Sequence, residues 1–143
     1  MTVRLILDQK GRDVVTIGPE ATLAEAATLL GGRRIGAVVV TRGDRNIAGI
    51  LSERDIVRAL GEHGAGALGL TVERVMTARV STCTEASTIN DVMEVMTRGR
   101  FRHLPVERGG QLDGIISIGD VVKRRIEEVE REAEQIREYI ATA

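Results

Sequence analysis

The sequence predicts an α+β fold in which two βαββα repeats pack as one pseudo-twofold module with an extended C-terminal helix. The first observation is an internal repeat, because residues 22–40 match residues 88–106 and residues 49–55 match residues 114–120. The second is the length of 143 residues, which suits about one domain. Two such units are too few for an open solenoid. We therefore expect two small, mostly antiparallel sheets, each flanked by helices, that bury each other's apolar faces.

The units follow one another along the chain. An N-terminal segment that we expect to be helical precedes the first repeat, and a linker with a short helix separates the two repeats. The last helix continues beyond the second repeat. The predicted boundaries are 1–13 for the N-terminal segment, 14–61 for the first repeat, 62–75 for the linker, 76–126 for the second repeat and 127–143 for the C-terminal extension.

Each repeat opens in the same way. A short extended segment comes first, at residues 14–17 and again at residues 80–83. Thr22 and Thr88 then each precede an acidic residue by three positions, which is the pattern of a capping box at a helix N-terminus. Apolar residues at helical spacing follow both threonines. The pattern therefore predicts the first helix of each repeat.

Glycines are expected to shape the ends of these elements. Residues 31–32 and Gly99 are predicted to end the first helix of each repeat. The glycine-containing segments 42–46 and 108–111 are predicted to be the turns of two β-hairpins. Residues 61–69 contain four glycines, and this composition predicts a flexible linker. Their G-x-G-x-x-G pattern follows a predicted helix, which argues against a dinucleotide-binding fingerprint.

The motif Gly-h-h-Ser-x-x-Asp, in which h is apolar, occurs in both repeats between a predicted strand and a predicted helix. It contains Ser52 with Asp55, and Ser117 with Asp120. Each pair is expected to form a capping box. Such a junction also offers free amides and the positive end of a helix dipole, and the aspartate can accept both hydrogens of a ribose diol. Two copies at equivalent positions favour a nucleotide site.

Residues 49–55 and 114–120 resemble the signature of the CBS (cystathionine-β-synthase) domain, and residues 102–106 resemble its second strand. The resemblance covers about residues 14–125 and is similar to the stand-alone bacterial CBS-pair proteins. It implies a homodimer with clefts between the repeats that bind AMP, ADP, ATP or, as a further candidate, NAD(H). It also implies regulation or energy sensing, in which a ligand-dependent conformational change acts on an unidentified protein target.

The resemblance implies the site residues as well. Asp55 and Asp120 become ribose ligands. Contacts to ribose or phosphate are implied for Ser52, Ser117, Arg54, Arg102 and His103. Contacts to adenine are implied for Thr16, Ile35, Gly36, Ala37, Val38, Val80, Thr82 and Leu104. Gly119 stands where the first repeat has Arg54, so we expect the two sites to differ chemically.

The basic segment 98–103 allows two interpretations. Arg98 and Arg100 fit a solvated loop as well as they fit a phosphate clamp, to which Arg brings a planar fork of donors. Nucleic-acid binding is a rival function for this segment. The formal net charge of −1 and the presence of only one Phe, one Tyr and no Trp argue against it.

The C-terminal helix carries an apolar residue every three or four positions. These positions form a narrow heptad seam and are Ile126, Val129, Ala133, Ile136 and Ile140. The seam could dock along its own domain or contribute to a homodimer, and we expect the homodimer. The alternative function is a structural or docking module with nucleotide-free clefts that uses this helix.

No pattern of a catalytic site is present in the sequence. Nothing pairs Cys83 with His63 or His103, and Cys83 is expected to be a small buried hydrophobe. No cluster at metal-ligand spacing occurs, so we expect no metal, no catalytic cofactor and no enzymatic activity. A single cysteine, and the lack of a signal peptide or an apolar span, predict a soluble cytoplasmic protein without a membrane partner.

Overall fold

A computed structural model describes residues 1–142, and the final residue of the predicted extension, Ala143, lies outside the described residues. Within them the strands are β1 (Thr16–Ile17), β2 (Ala37–Arg42), β3 (Asn46–Ser52), β4 (His103–Arg108) and β5 (Gln111–Ser117). The helices are α1 (Val3–Lys10), α2 (Leu23–Arg33), α3 (Glu53–His63), a 3₁₀ helix (Gly64–Gly69), α4 (Val72–Val75), α5 (Ile89–Gly99) and α6 (Ile118–Thr142). The prediction of an α+β fold with a long C-terminal helix is confirmed.

The strands form one sheet in the order β1-β2-β3-β5-β4. β2 and β3 form an antiparallel hairpin, and so do β4 and β5 in an equivalent register. The two hairpins are joined by a single residue pair, Asn46 with Gln111, beside which the amide of Leu112 donates to the carbonyl of Arg45. The two expected small sheets are thus halves of one sheet.

The first strand of the second repeat is shorter than predicted. Cys83 makes an isolated parallel bridge with Val106, and residues 80–82 belong to no strand. A few residues earlier, Thr77 is bridged to Ile50 of β3 in the first repeat. The segment between these bridges crosses from one repeat to the other, so it cannot pair along its length with either hairpin.

The repeats exchange their short helices. The amide of Val3 in α1 donates to the carbonyl of Ser87, and the amide of Val72 in α4 donates to the carbonyl of Ala21. The core of the second repeat contains Leu7 of α1, whereas Val72 belongs to the core of the first repeat. Each core is therefore completed by the helix that precedes the other repeat in sequence, which ties the repeats into one unit.

The helices start where the capping patterns predict, and α2 ends one residue later than predicted. The hydroxyls of Thr22 and Thr88 accept hydrogen bonds from the third residue of α2 and of α5. Residues 31–32 lie inside α2, which continues for one more residue to Arg33, whereas Gly99 is the last residue of α5, where the sequence predicts the end of that helix. Arg34 and Arg100 instead adopt the left-handed conformation, with φ of 55° and 57°.

The segment predicted as a flexible linker is regular. α3 extends to His63, and a 3₁₀ helix follows directly. Ala67 is completely buried in the core of the first repeat, and the amide of Leu70 donates to its carbonyl. The predicted linker thus has regular secondary structure, and this one apolar side chain packs it against the first repeat.

α6 begins in the core and continues away from it. Val121 and Arg124 are buried, and Arg124 donates to Glu127 at 3.0 Å. Further along, the seam residues Ile126 and Val129 are exposed, as are the isoleucines that follow. Among residues 1–142, no helix combines the length and the apolar character needed to cross a membrane.

Candidate functional site

Both strand–helix junctions form the expected capping boxes. The hydroxyl of Ser52 accepts from the amide of Asp55 at 3.2 Å, and Asp55 Oδ2 accepts from the amide of Ser52 at 2.9 Å. Ser117 and Asp120 repeat the arrangement with the same two distances. The carboxylates are therefore fixed at helix N-termini, where the helix dipole favours negative charge.

A cleft of about 290 Å³ lies beside the first junction. Residues of both repeats line it, because the crossing segment and the start of β4 face the ends of β2 and β3. The lining residues are Gly36, Ala37, Ile50, Ser52, Glu53, Arg54, Asp55, Arg58, Thr77, Arg79, Val80, Ser81, Gly99, Arg100, Phe101, Arg102 and His103. The cleft is an inter-repeat groove of the kind that the sequence predicts.

The structure brings many of the predicted site residues together in this cleft. The predicted site residues of the first repeat lie in or next to β2, β3 and α3. The predicted site residues of the second repeat lie in the crossing segment and at the start of β4. Together they are Gly36, Ala37, Ser52, Arg54, Asp55, Val80, Arg102 and His103. These residues include one aspartate of the proposed ribose pair and all three of the proposed basic phosphate contacts.

Other predicted site residues lie outside the cleft. Ile35 borders a separate groove beside α2 and α3. Val38 and Leu104 are buried in the two cores and expose almost no surface to a ligand. Thr16 is exposed on β1, and Thr82 lies beyond the cleft-lining residues of the crossing segment. Ser117 and Asp120 form the second junction.

Asp55 is a buried carboxylate that faces the cleft. Only 11% of its side chain is exposed. Its Oδ2 accepts from the amide of Ser52, and from the hydroxyl of the same serine at 3.1 Å, while its Oδ1 lies 3.6 Å from a guanidinium nitrogen of Arg58. A carboxylate held in this way keeps lone pairs free for a ligand hydroxyl.

The cleft is more basic than sequence reasoning indicated. Arg58, Arg79 and Arg100 line it in addition to the two arginines predicted there, whereas Glu53 is the one acidic neighbour of Asp55 in the lining. Arg100 belongs to the basic segment that the sequence singled out. No local pattern indicates Arg58 or Arg79, because their role depends on how the crossing segment and α3 meet.

Arg98 and Arg100, for which the sequence allows two interpretations, lie in different environments in the structure. Arg98 lies on the exposed surface of α5 and donates to Glu94 at 2.6 Å, one turn earlier. Arg100, which follows the helix in the left-handed conformation, lines the cleft. Arg98 thus fits the solvated interpretation, and Arg100 is placed where a phosphate could bind.

His103 lies at the start of β4, between the two junctions. Burial lowers its pKa, and Lys10 adds to this effect against the opposing influence of Glu53. A side-chain carbon added at Gly36 would come within 3.3 Å of the imidazole, so the backbone of β2 approaches this ring closely. The lowered pKa favours the neutral form of the ring.

The second junction carries an internal cation. Lys10 Nζ, at the end of α1, lies 2.7 Å from Asp120 Oδ2. Burial acts to raise the pKa of Asp120, but the hydrogen bonds from Lys10 and Ser117 outweigh it and leave that pKa lowered. The two junctions thus share a backbone arrangement but differ in what contacts their carboxylates.

The signature glycines are explained by packing. A side-chain carbon at Gly49 would lie 2.6 Å from the sulfur of Met76 and 2.7 Å from the carbonyl oxygen of Thr77. A side-chain carbon at Gly114 would lie 2.8 Å from a methyl carbon of Leu7. Because these two glycines have no side chain, the segments exchanged between the repeats can pack directly against the strands that lead to the two junctions.

Cys83 is buried, as the sequence predicts. Burial raises the pKa of its thiol to about 12, so the reactive thiolate is not formed at neutral pH. In the part of the chain that the structure describes, no group of three His, Cys, Asp or Glu side chains is placed to hold a metal ion.

Comparison with known proteins identifies both repeats. The family model described as "CBS domain" matches residues 11–62 and 72–127. The crystal structure of the CBS-domain containing protein ATU1752 from Agrobacterium tumefaciens is 53% identical in sequence, with a TM-score of 0.84. The match covers 87% of this chain and 99% of that one.

Two other relatives are more distant. A protein of Acidianus ambivalens described as an uncharacterized 17.7 kDa protein is 35% identical over 111 residues, which are 77% of this chain and 66% of the relative. The chain therefore spans just under two thirds of that curated relative. The CBS domain pair of protein MJ0100, solved in complex with 5′-methylthioadenosine and S-adenosyl-L-methionine, is 23% identical over 86% of this chain and 98% of that one, with a TM-score of 0.77. At that identity the likeness is one of fold.

Proposed function

The chain belongs to the CBS-domain family, and we propose that it is a regulatory module that binds an adenine nucleotide in the cleft beside Asp55. The observation that carries the proposal is the composition of this cleft, in which a capped carboxylate faces a set of arginines from both repeats. The proposed activity is binding and signalling rather than catalysis.

The proposed ribose contact is Asp55. Its carboxylate is held by the amide and the hydroxyl of Ser52, so it does not need to reorganise when a ligand arrives. Two vicinal hydroxyls can donate to one carboxylate, which selects a ribose over a sugar that lacks one of them. The energetic advantage of such a fixed acceptor is that little side-chain entropy is lost on binding.

The proposed phosphate contacts are the arginines. Arg54 of α3 lines the cleft together with Arg100 and Arg102 of the connection between α5 and β4, and each guanidinium can bind a phosphate through two parallel hydrogen bonds. Ala37 and Val80 supply apolar surface for the base. MJ0100 was solved with adenosine ligands that carry no phosphate. The arginines here favour AMP, ADP or ATP, with NAD(H) as a further candidate.

The proposed mechanism is a population shift. A ligand that contacts both repeats stabilises the arrangement in which the crossing segment and β4 close on β3. A partner protein that distinguishes the two arrangements would then respond to the nucleotide concentration. We propose that the partner surface and the nucleotide cleft are coupled through the exchanged helices, since these belong to both repeats.

We also propose that the module is a homodimer. Val57 of α3 and Val122 of α6, each five residues after its capping serine, are 67% and 40% exposed. Ile126 and Val129 extend this apolar surface along α6. Exposed apolar side chains at equivalent positions of two repeats suit a symmetric interface, in which the same surface meets its own copy.

A thermal-shift assay with AMP, ADP, ATP, NADH and S-adenosylmethionine tests the nucleotide proposal. A ligand at a hundred times its dissociation constant adds about 2.7 kcal/mol to the free energy of unfolding, which a melting curve detects. Asp55→Ala is expected to remove most of the shift. Asp44→Ala, an exposed carboxylate in the β2–β3 turn, serves as the matched control and is expected to keep it. The absence of a shift with every ligand would refute the proposal.

The exposed seam of α6 favours a second candidate function, a docking module whose clefts stay empty. Deletion of residues 127–143 separates the two functions. The deletion is expected to leave nucleotide binding intact if the cleft is the functional site. If the docking function is correct, the deletion abolishes partner binding, and neither the full chain nor the shortened chain binds a nucleotide.

A further inference from the structure

The carboxylates of the two junctions differ in one contact. Asp120 Oδ2 accepts from Lys10 at 2.7 Å, and the two side chains are 27% and 34% exposed. Asp55 has no lysine neighbour among the described residues, and its cation, Arg58, lies 3.6 Å away on the next turn of the same helix. At the second junction an ammonium group of the chain itself is hydrogen-bonded to the carboxylate, on the oxygen that also accepts from the Ser117 amide, and it uses hydrogen-bonding capacity that a ligand hydroxyl would need.

The difference comes from the lengths of two equivalent helices. α1 and α4 start alike, with Thr2 bridged to Thr88 and Thr71 bridged to Thr22. α1 runs for 8 residues and α4 for 4. The chain after α4 turns away to pair with β3, whereas the extra turn of α1 carries Lys10 to the second junction.

α1 cannot easily move from this position. Val3, Ile6 and Leu7 are buried in the core of the second repeat. Just after the helix, Arg12 donates to Glu85 at 2.8 Å and to Asp113 at 2.9 Å. The helix therefore keeps the backbone of Lys10 near the second junction even when the side-chain pair itself breaks.

We propose that Lys10 competes with ligand for Asp120, so that the second junction binds nucleotide more weakly than the first. This inference rests on the proposed nucleotide function, and it assigns the two repeats unequal affinities. The first junction fills at low nucleotide concentration. The second fills only when the ligand displaces the ammonium group, which widens the concentration range over which the chain responds.

Calorimetric titration with ADP in an Asp55→Ala background tests the competition, because this background leaves only the second junction. Adding Lys10→Ala is expected to tighten ADP binding about fivefold, the scale of one partly exposed ion pair. Lys123→Ala, which removes the other lysine of the chain from an exposed position on α6, is the control and is expected to change nothing. Cooperative thermal unfolding of each variant confirms that it is folded.

Unchanged or weaker ADP binding after Lys10→Ala overturns the inference, and weaker binding would make Lys10 a ligand contact. The inference is also overturned if ADP binds neither to Asp55→Ala nor to the variant that combines Asp55→Ala with Lys10→Ala. The proposed function has a separate readout, the loss of ADP binding when Asp55→Ala is added to an Asp120→Ala background. The two proposals can therefore fail independently.

Discussion

At the scale of single residues, His103 is a partly buried histidine whose pKa is lowered in the folded chain. Burial lowers its pKa, Lys10 and Arg102 act in the same direction, and Glu53 and Asp120 oppose them. Above the unfolded pKa of about 6.5 the imidazole is neutral in both states and carries no penalty. As the pH falls below that value, the unfolded chain binds a proton before the folded chain does. The free energy of unfolding therefore declines until the pH passes the folded pKa.

Urea denaturation at about pH 7.5 and about pH 5.5 measures this decline, in a range above the reference pKa values of Asp and Glu. His103→Gln is expected to show a smaller loss of stability between the two pH values than the unsubstituted chain. His63→Gln removes an exposed histidine at the end of α3 and is expected to retain the full loss. Equal losses in the two variants would contradict the assignment.

Single-residue chemistry was predictable where it depends on neighbours in sequence. The pairs Ser52 with Asp55 and Ser117 with Asp120 are three residues apart, and both form the expected capping boxes. The contact of Lys10 with Asp120 joins positions 110 residues apart, and no spacing rule indicates it. The sequence therefore identified the carboxylates but not the group that distinguishes them.

At the scale of elements, the exchange of α1 and α4 organises the fold. α1 packs against the second repeat and borders Gly114, whereas α4 packs against the first repeat and the residues directly after it border Gly49. Because α1 supplies buried side chains to the second repeat, we expect its apolar face to contribute strongly to the stability of that repeat.

Leu7→Ala tests this contribution. Leu7 is 1% exposed and packs against Gly114, so its truncation is expected to cost about 2–5 kcal/mol of unfolding free energy. Leu5→Ala, on the same helix but 39% exposed, is expected to cost less than about 1 kcal/mol. Similar costs in urea denaturation would show that α1 is not part of the core.

Elements with a strong local pattern were predictable, and those set by tertiary contacts were not. The threonine caps and the apolar spacing located the starts of α2 and α5. Each of these helices is followed by an arginine in the left-handed conformation. Residues other than glycine rarely adopt this conformation, so the sequence does not indicate it. The glycine-rich segment became a 3₁₀ helix because the core accepts Ala67, a contact that glycine content alone does not reveal.

At the scale of the whole molecule, the exposed apolar surfaces of α3 and α6 favour assembly. A double variant, Val57→Glu with Val122→Glu, places charges on both equivalent positions of the proposed interface. It is expected to convert a dimer of twice the 15.5 kDa chain mass into a monomer, because burying an unpaired carboxylate is costly.

Light scattering after size exclusion measures both masses. Gln9→Glu, which adds a charge on the exposed side of α1, is expected to leave the dimer intact. A monomeric unsubstituted chain, or a double variant that remains dimeric, would contradict the proposed interface.

The overall architecture was predictable because the chain contains it twice. Matching segments predicted two equivalent hairpins, and the hairpins have equivalent registers. The joining of both hairpins into one sheet rests on the single pair Asn46 with Gln111, which carries no distinctive sequence signal. The lining of the cleft likewise depends on the path of the crossing segment. The arginines of the cleft were therefore only partly predictable from the sequence.

A crystal structure of the chain grown with ADP tests the central claim most directly. We expect the ribose hydroxyls within about 2.6–3.2 Å of the Asp55 carboxylate and the phosphates against Arg102 and its neighbouring arginines. An empty cleft beside Asp55 at saturating ADP, with or without electron density for ADP at other places, would contradict the claim.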